Sequence, residues 1–219
     1  MQTYDTRSQI YTEITRENTS VREKYVQVFG AEAQEFSDVM GDALSAWLKL
    51  WESAQENERH MRILSIAYAA ISLQVTSMKL FLSGHQVAAG NLMRQVLEAI
   101  ALAFLCSGKD LGIPERFEQN EYSTNKAIAD AIRNADRLNL KKAALTAFKN
   151  PQIFYSKFSH PSKMTLGTLE SFAGEGIYLG AAYDQGKYKH YKSEVSTRLK
   201  SAKLFPGFLQ VIKRNLAAW

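Results

Sequence analysis

"QVAAGNLMRQVLEAIALAFLCSG", residues 86–108, contains only two charged residues, Arg94 and Glu98. A helix with no continuous polar side must be covered on every face, so this stretch predicts a central helix with others packed around it. The two charges stand four apart, on one face and within reach of each other. Buried charges persist only when paired and hydrogen-bonded. Arg94 and Glu98 therefore read in two ways. They order the bundle as an ion pair, or Glu98 neutralises a guanidinium whose remaining donors serve a ligand.

The rest of the chain supplies the covering helices. It has 219 residues and four prolines, the first at Pro114, so long unbroken helices are expected before that point. Tyr11, Ile14, Val21, Tyr25 and Val28 follow three-and-four spacing with Asn18 on the same seam, and Gly30 is the expected stop. Asn18 reads as an exposed position rather than one that fixes register. Phe36, Met40, Leu44, Trp47, Trp51 and Ala54 form a second stripe, with both tryptophans in the core. A third helix is expected over about 57–82 with Gly84 as its end, and a fourth over 85–106.

Pro114 suits the first turn of the next helix, and Ser123 or Thr124 can cap a segment carrying Ile128, Ala131, Ile132, Ala135 and Leu138. A short helix over 140–149 and another from Pro151 follow. Glycines 167, 174, 176, 180 and 186 make regular helix lapse over about 172–187, where "IYLGAAYD" reads as a strand or hairpin. A last helix starts near Tyr188 and breaks at Pro206. The expected fold is all-α: one multi-helix bundle with a core over about 5–170. An irregular or β-hairpin insertion lies near 172–187, and a basic helical end spans 188–219.

Composition narrows the functional classes. Hydrophobic residues at 46% and charged residues at 22% belong to a globular chain and exclude disorder. The single cysteine, Cys106, excludes an internal disulfide and suits a reducing cytoplasm. The first residues lack an apolar stretch of the secretory kind, and the longest charge-free run, 63–78, is short for a membrane span. No membrane association is expected. His60, His85 and His190 have no ligand spacing to Cys106 or a carboxylate, so no metal is expected. "GEGIYLG" lacks the context and lysine of a phosphate loop, and no cofactor is expected.

The net charge of +5 is unevenly spread: residues 1–110 carry −3 and residues 111–219 carry +8. On a helix from Tyr188, an apolar arc of Tyr188, Tyr191, Val195, Leu199 and Ala202 adjoins an arc of Lys189, Lys192, Lys200 and Lys203. Aligned lysines suit a phosphate backbone without reading its sequence. These four are the candidate anion-binding face, with RNA or a nucleotide as partner, set against the plainer reading of a solvated helix.

"FYSKFSHPSKM", residues 154–164, holds the second candidate site. Pro161 disfavours helical geometry at His160, so a helix from Pro151 should end there, with His160 near the favourable end of its dipole. Ser156 then shares its face, Tyr155 lies beside it, and Ser159 and Ser162 add hydroxyls. Such a histidine can do acid–base work or hold a phosphate. Economy predicts that His160, Arg94 and Glu98 meet in one polar pocket.

"AAGNLMRQVLEAIALAFLC" followed some fifty residues later by "YSKFSHPSKMTL" resembles a bacterial family of unknown function within the broad HEPN group, over about residues 60–170. The resemblance implies an all-helical protein of defence or toxin–antitoxin systems. Active HEPN proteins are dimeric, metal-independent ribonucleases with an arginine four to six residues before the histidine. Here those positions hold Ile153, Phe154 and Tyr155, so that motif is absent. The leading expectation is a cytoplasmic HEPN-like protein that binds RNA or a nucleotide-like ligand, as a homodimer or with an operon-encoded partner. The alternatives are a divergent ribonuclease using His160, with Arg94 supplying charge, and a non-catalytic scaffold.

Overall fold

The chain is seen in a computed structural model that describes residues 5–15 and 18–219. Helix α1 spans Thr6–Thr15 and α2 spans Thr19–Ser53. The part of the expected first helix that falls on residues 16 and 17 lies outside the described residues. Asn18 is the N-cap of α2, its side chain accepting from the Val21 N–H, so the residue read as an exposed seam position starts a helix. Gly30 does not end that helix. The backbone kinks at Phe29 (φ −122°, ψ 21°) and continues, and the two expected helices are one of 35 residues. A glycine ends a helix only where the chain then turns away. Here Tyr25 and Phe29 before the kink, and Phe36, Met40 and Trp47 after it, bury against the same core. On the second stripe Ala43 takes the inner position and Leu44 faces solvent.

Helix α3, Glu58–Leu82, is capped by Asn57, and α4, Gln86–Ser107, follows after three residues. The turn between them needs Gly84 (φ +82°), where a Cβ would sit 2.6 Å from Val21 Cγ1 and 2.9 Å from the Ala182 nitrogen. The two helices form an antiparallel hairpin at the centre. Both are long and apolar enough to cross a membrane by length and composition, longer than the charge-free run 63–78 suggested. Of the most apolar window of α4, 72% is buried among other helices, as befits the core helix of a bundle.

Short helices cover one side of α4: α5 (Ile113–Glu118), α6 (Ala127–Arg133), α7 (Lys142–Thr146), α8 (Lys149–Ser156) and α9 (Lys163–Leu169). On the other side α2 packs on α3, with α10 (Tyr188–Ala202) and α11 (Phe205–Leu216) against α2. Pro206 lies in the first turn of α11; the chain breaks just before it, at residues 203–204.

The fold is all-α. Between α9 and α10, among the described residues, no strand forms, and the expected hairpin is reduced to one antiparallel bridge, Glu170 to Ile177. The reason is where the backbone donors go. Phe172 N–H donates to Asp184 Oδ2 at 2.6 Å and Gly186 N–H to Asp184 Oδ1 at 2.8 Å, so one buried carboxylate replaces a ladder. Tyr25 holds the same segment from α2, its hydroxyl donating to the Ala182 carbonyl and accepting from Gln86 Nε2.

Helix α4 meets the stretch before Pro161 at Gly90, where a Cβ would fall 2.5 Å from the Phe158 ring. Overpacking of this kind costs about 1–3 kcal/mol, against a gain of about 1 kcal/mol in helix propensity. Gly90→Ala should therefore lower stability in urea titrations. In a Phe158→Ala background the same change should be neutral or stabilising, because the ring it strikes is gone.

Candidate functional site

Arg94 and Glu98 do touch. Arg94 Nε donates to Glu98 Oε1 at 2.8 Å, but the side chains keep 23% and 11% of their exposure, so the pair lies at the margin of the core. His160 is exposed and stands at a bend. Helix α8 stops at Ser156, four residues early, because Lys157, Phe158 and Ser159 turn back their N–H groups to the carbonyls of Phe154, Tyr155 and Ser156. His160 therefore caps no helix and does not share a helical face with Ser156. Among the described residues its imidazole has no hydrogen-bond partner.

The hydroxyls expected around His160 serve structure. Ser156 donates to the Ile153 carbonyl, and Ser162 donates to the Lys157 carbonyl while capping α9 through the Thr165 N–H. Ser159 donates to Asn91 Oδ1 at 2.8 Å, one turn before Arg94 on α4. The two candidate segments thus meet, through Phe158 and Ser159 rather than through His160. Tyr155 is fully buried and donates to Glu194 Oε2 at 3.4 Å, which removes it from any surface site. Burial pushes its hydroxyl pKa well above the usual value, so it acts as a neutral donor.

That tyrosine leads to the polar centre the sequence reading missed. Arg198 and Glu194 on α10 are 0% and 4% exposed, and Nη1 donates to Oε2 at 2.7 Å. Arg198 Nε donates to Ser77 Oγ at 3.2 Å, its guanidinium carbon lies 4.9 Å from the Phe81 ring centre, and Gln74 Nε2 donates to its carbonyl. Ser77 in turn donates to the Ala89 carbonyl, so α3, α4, α8 and α10 are joined. The signal was present in the sequence as another pair of opposite charges four apart, but a helix rich in lysine makes any charge look solvated.

At the head of α10 the structure opens a cleft of about 350 Å³, lined by Gln86, Met164, Gly167, Phe172, Lys187, Lys189, His190 and Tyr191 among others. Lys187 is 6% exposed; Nζ donates to the Thr168 carbonyl at 2.9 Å and lies 5.1 Å from the Phe172 ring centre. Burial lowers its pKa, opposed by Asp184 and Glu170. Burial would raise the Asp184 carboxyl, but the N–H donors of Phe172 and Gly186 outweigh it and hold the pKa below the usual value. Lys187 is the N-cap of α10, and His190, Glu194 and Arg198 follow it along the inward side of that helix. Chemically, the arrangement offers cations, an imidazole and an open aromatic ring to an anionic, flat ligand.

No family model, curated protein or solved structure matches this chain. Among the described residues no group of three or more His, Cys, Asp or Glu is placed to hold a metal ion. Cys106 is buried, which pushes its thiol up to about 12 and keeps it protonated.

Glu194→Ala should cost about 3–5 kcal/mol by stranding a buried guanidinium, and a double change to leucine and methionine should cost less. Glu98→Ala should cost less than Glu194→Ala, because Arg94 can turn to water; urea titration of the four proteins gives the order. His190 provides a second test. Burial lowers its pKa from 6.5, with Glu194 opposing and Arg198 and Lys187 assisting. The unfolded chain then binds the proton first, so this contribution is complete above 6.5 and is lost as pH falls toward the folded-state value. In His190→Gln the loss of stability on acidification below neutral pH should be shallower.

Proposed function

We propose that this protein binds RNA or a nucleotide-like ligand along α10. The observation that carries the reading is the exposed row of Lys189, Lys192, Lys200 and Lys203 on the outer side of that helix. At 100° per residue the four fall within an arc of about 80° and span about 21 Å of helix. Their arc is opposite the buried side, not beside it as the sequence suggested. The docking side is Tyr191, Glu194, Val195, Arg198 and Ala202, while Tyr188 is 36% exposed and Leu199 half-buried. Lys203 also pairs with Glu35 on α2, which leaves three of the row without an acidic partner among the described residues.

A row of ammonium groups on one helix neutralises successive phosphates and reads no bases. The HEPN resemblance adds the setting: a cytoplasmic protein of a stress or phage-defence system, working as a homodimer or with an operon-encoded partner. Cleavage is the weaker reading, since no hydrogen bond or ion pair joins the His160 imidazole to another side chain among the described residues.

Changing the four lysines to glutamate should abolish retention of single-stranded RNA on filters at about 50 mM salt, and wild-type retention should fall steeply by about 200 mM. Unchanged retention in the variant, with an intact helical spectrum, refutes the basic face and favours the scaffold reading. RNA cleavage in EDTA that disappears in His160→Ala would instead establish the ribonuclease.

A further inference from the structure

The cleft at the head of α10 shares only Lys189 with the lysine row. We infer that it holds one nucleotide unit, with the base against Phe172 and the phosphate between Lys187, Lys189 and His190. The inference rests on the nucleotide reading above and names the moiety recognised.

Phe172 is the first ground. Its side chain is left 61% exposed, yet the backbone that carries it is fixed. Asp184 accepts from its N–H at 2.6 Å, and Lys187 Nζ holds the end of α9 through the Thr168 carbonyl. An exposed ring on a fixed backbone at the edge of a cleft offers a stacking platform with only two side-chain torsions left to order.

The charge of the walls is the second ground. No aspartate or glutamate is among the residues lining the cleft, whereas two lysines and a histidine are. Lys187 is more than nine-tenths buried; among the described residues Nζ has one hydrogen-bond acceptor, the Thr168 carbonyl, and lies 5.1 and 5.2 Å from the Phe172 and Tyr178 ring centres. An ammonium group has three donors. The cost of burying a cation is recovered when an anion takes the others. An uncharged apolar peptide would leave those donors unmet.

Size and access agree. About 350 Å³ lies at the lower end of the range of small-molecule sites, roughly 300–1,000 Å³, and suits one nucleotide rather than a longer segment. Gly167 lines the cleft from α9, and a Cβ built on it meets no atom within 4 Å. A larger side chain there enters open space, and replacing glycine within a helix favours the helix. Gly167→Leu is thus a way to fill the site from a wall that already tolerates it.

The test is calorimetric titration of the full chain with AMP, UMP, adenosine and inorganic phosphate. At least one nucleotide should bind ten-fold or more tightly than both adenosine and phosphate. Gly167→Leu and Phe172→Ala should each weaken it ten-fold or more while the helical spectrum stays unchanged. Phe172→Ala removes an exposed ring, so it keeps the test open if the leucine variant misfolds. Nucleotides binding no better than phosphate overturn the base platform, and undiminished binding in both variants overturns the location. RNA retention separates the two levels: retained RNA with no nucleotide binding sinks the cleft alone, and loss of both sinks the nucleotide reading with it. Competition of the bound nucleotide with RNA assigns the unit to a strand, and its absence assigns it to a free nucleotide; either result upholds the site.

Discussion

An arginine with no solvent exposure sets the terms on which this bundle closes. Taking a guanidinium and a carboxylate out of water costs several kcal/mol for each ion, and their attraction offsets that only in good geometry. For Arg198 the geometry needs Glu194 one turn away, Ser77 and Phe81 on α3, and Tyr155 on α8 to hold the carboxylate. The contacts to Ser77, Phe81 and Tyr155 do not survive a shift of α10 by one residue, and without them the pair is stranded. An apolar stripe would tolerate such slippage; a buried pair does not. Satisfaction is incomplete even so, since Arg198 Nη2, Gln74 Oε1 and Ser201 Oγ are buried without hydrogen-bond partners among the described residues.

With α10 fixed in rotation, the placement of the proposed binding surface follows. Its outer side presents the lysines, and its first turn places Lys187 and His190 against α9 and Phe172. The irregular segment between α9 and α10 has few backbone bonds of its own. Asp184 ties the segment's two ends together, Tyr25 holds it to α2, and Lys187 ties its end to α9. A cleft built on such a segment is held by side chains anchored in the flanking helices, so the proposed binding there and the folding of the α10 end would share the same contacts.

Much of the scaffold was legible in the residues. Asn57 and Gly84 bracket α3 as their chemistry demands, and the near absence of charge from α4 requires a central helix. Boundaries that depend on later packing were not legible. Gly30 looked like a stop, yet Phe29 and Phe36 bury on one core and carry the helix through the kink. The stretch ending at Pro161 looked like one helix, yet it turns at Ser156 so that Phe158 can meet Gly90.

By itself the sequence determined the all-α class, the central apolar helix and the alignment of the four lysines, because periodicity and punctuation are local properties of a chain. Tertiary structure alone decided which i, i+4 charge pair is buried. Arg94–Glu98 stands in an apolar helix and remains partly wet, whereas Glu194–Arg198 stands in a basic helix and is dry. Helical spacing shows that two charges can meet, but burial depends on what comes to lie against them. Ser77, Phe81 and Tyr155 are separated from Arg198 by between 43 and 121 residues of chain, a proximity no local pattern records. The cleft has the same origin, since its walls come from the start of α4, from α9, from the segment that joins α9 to α10, and from the first turn of α10.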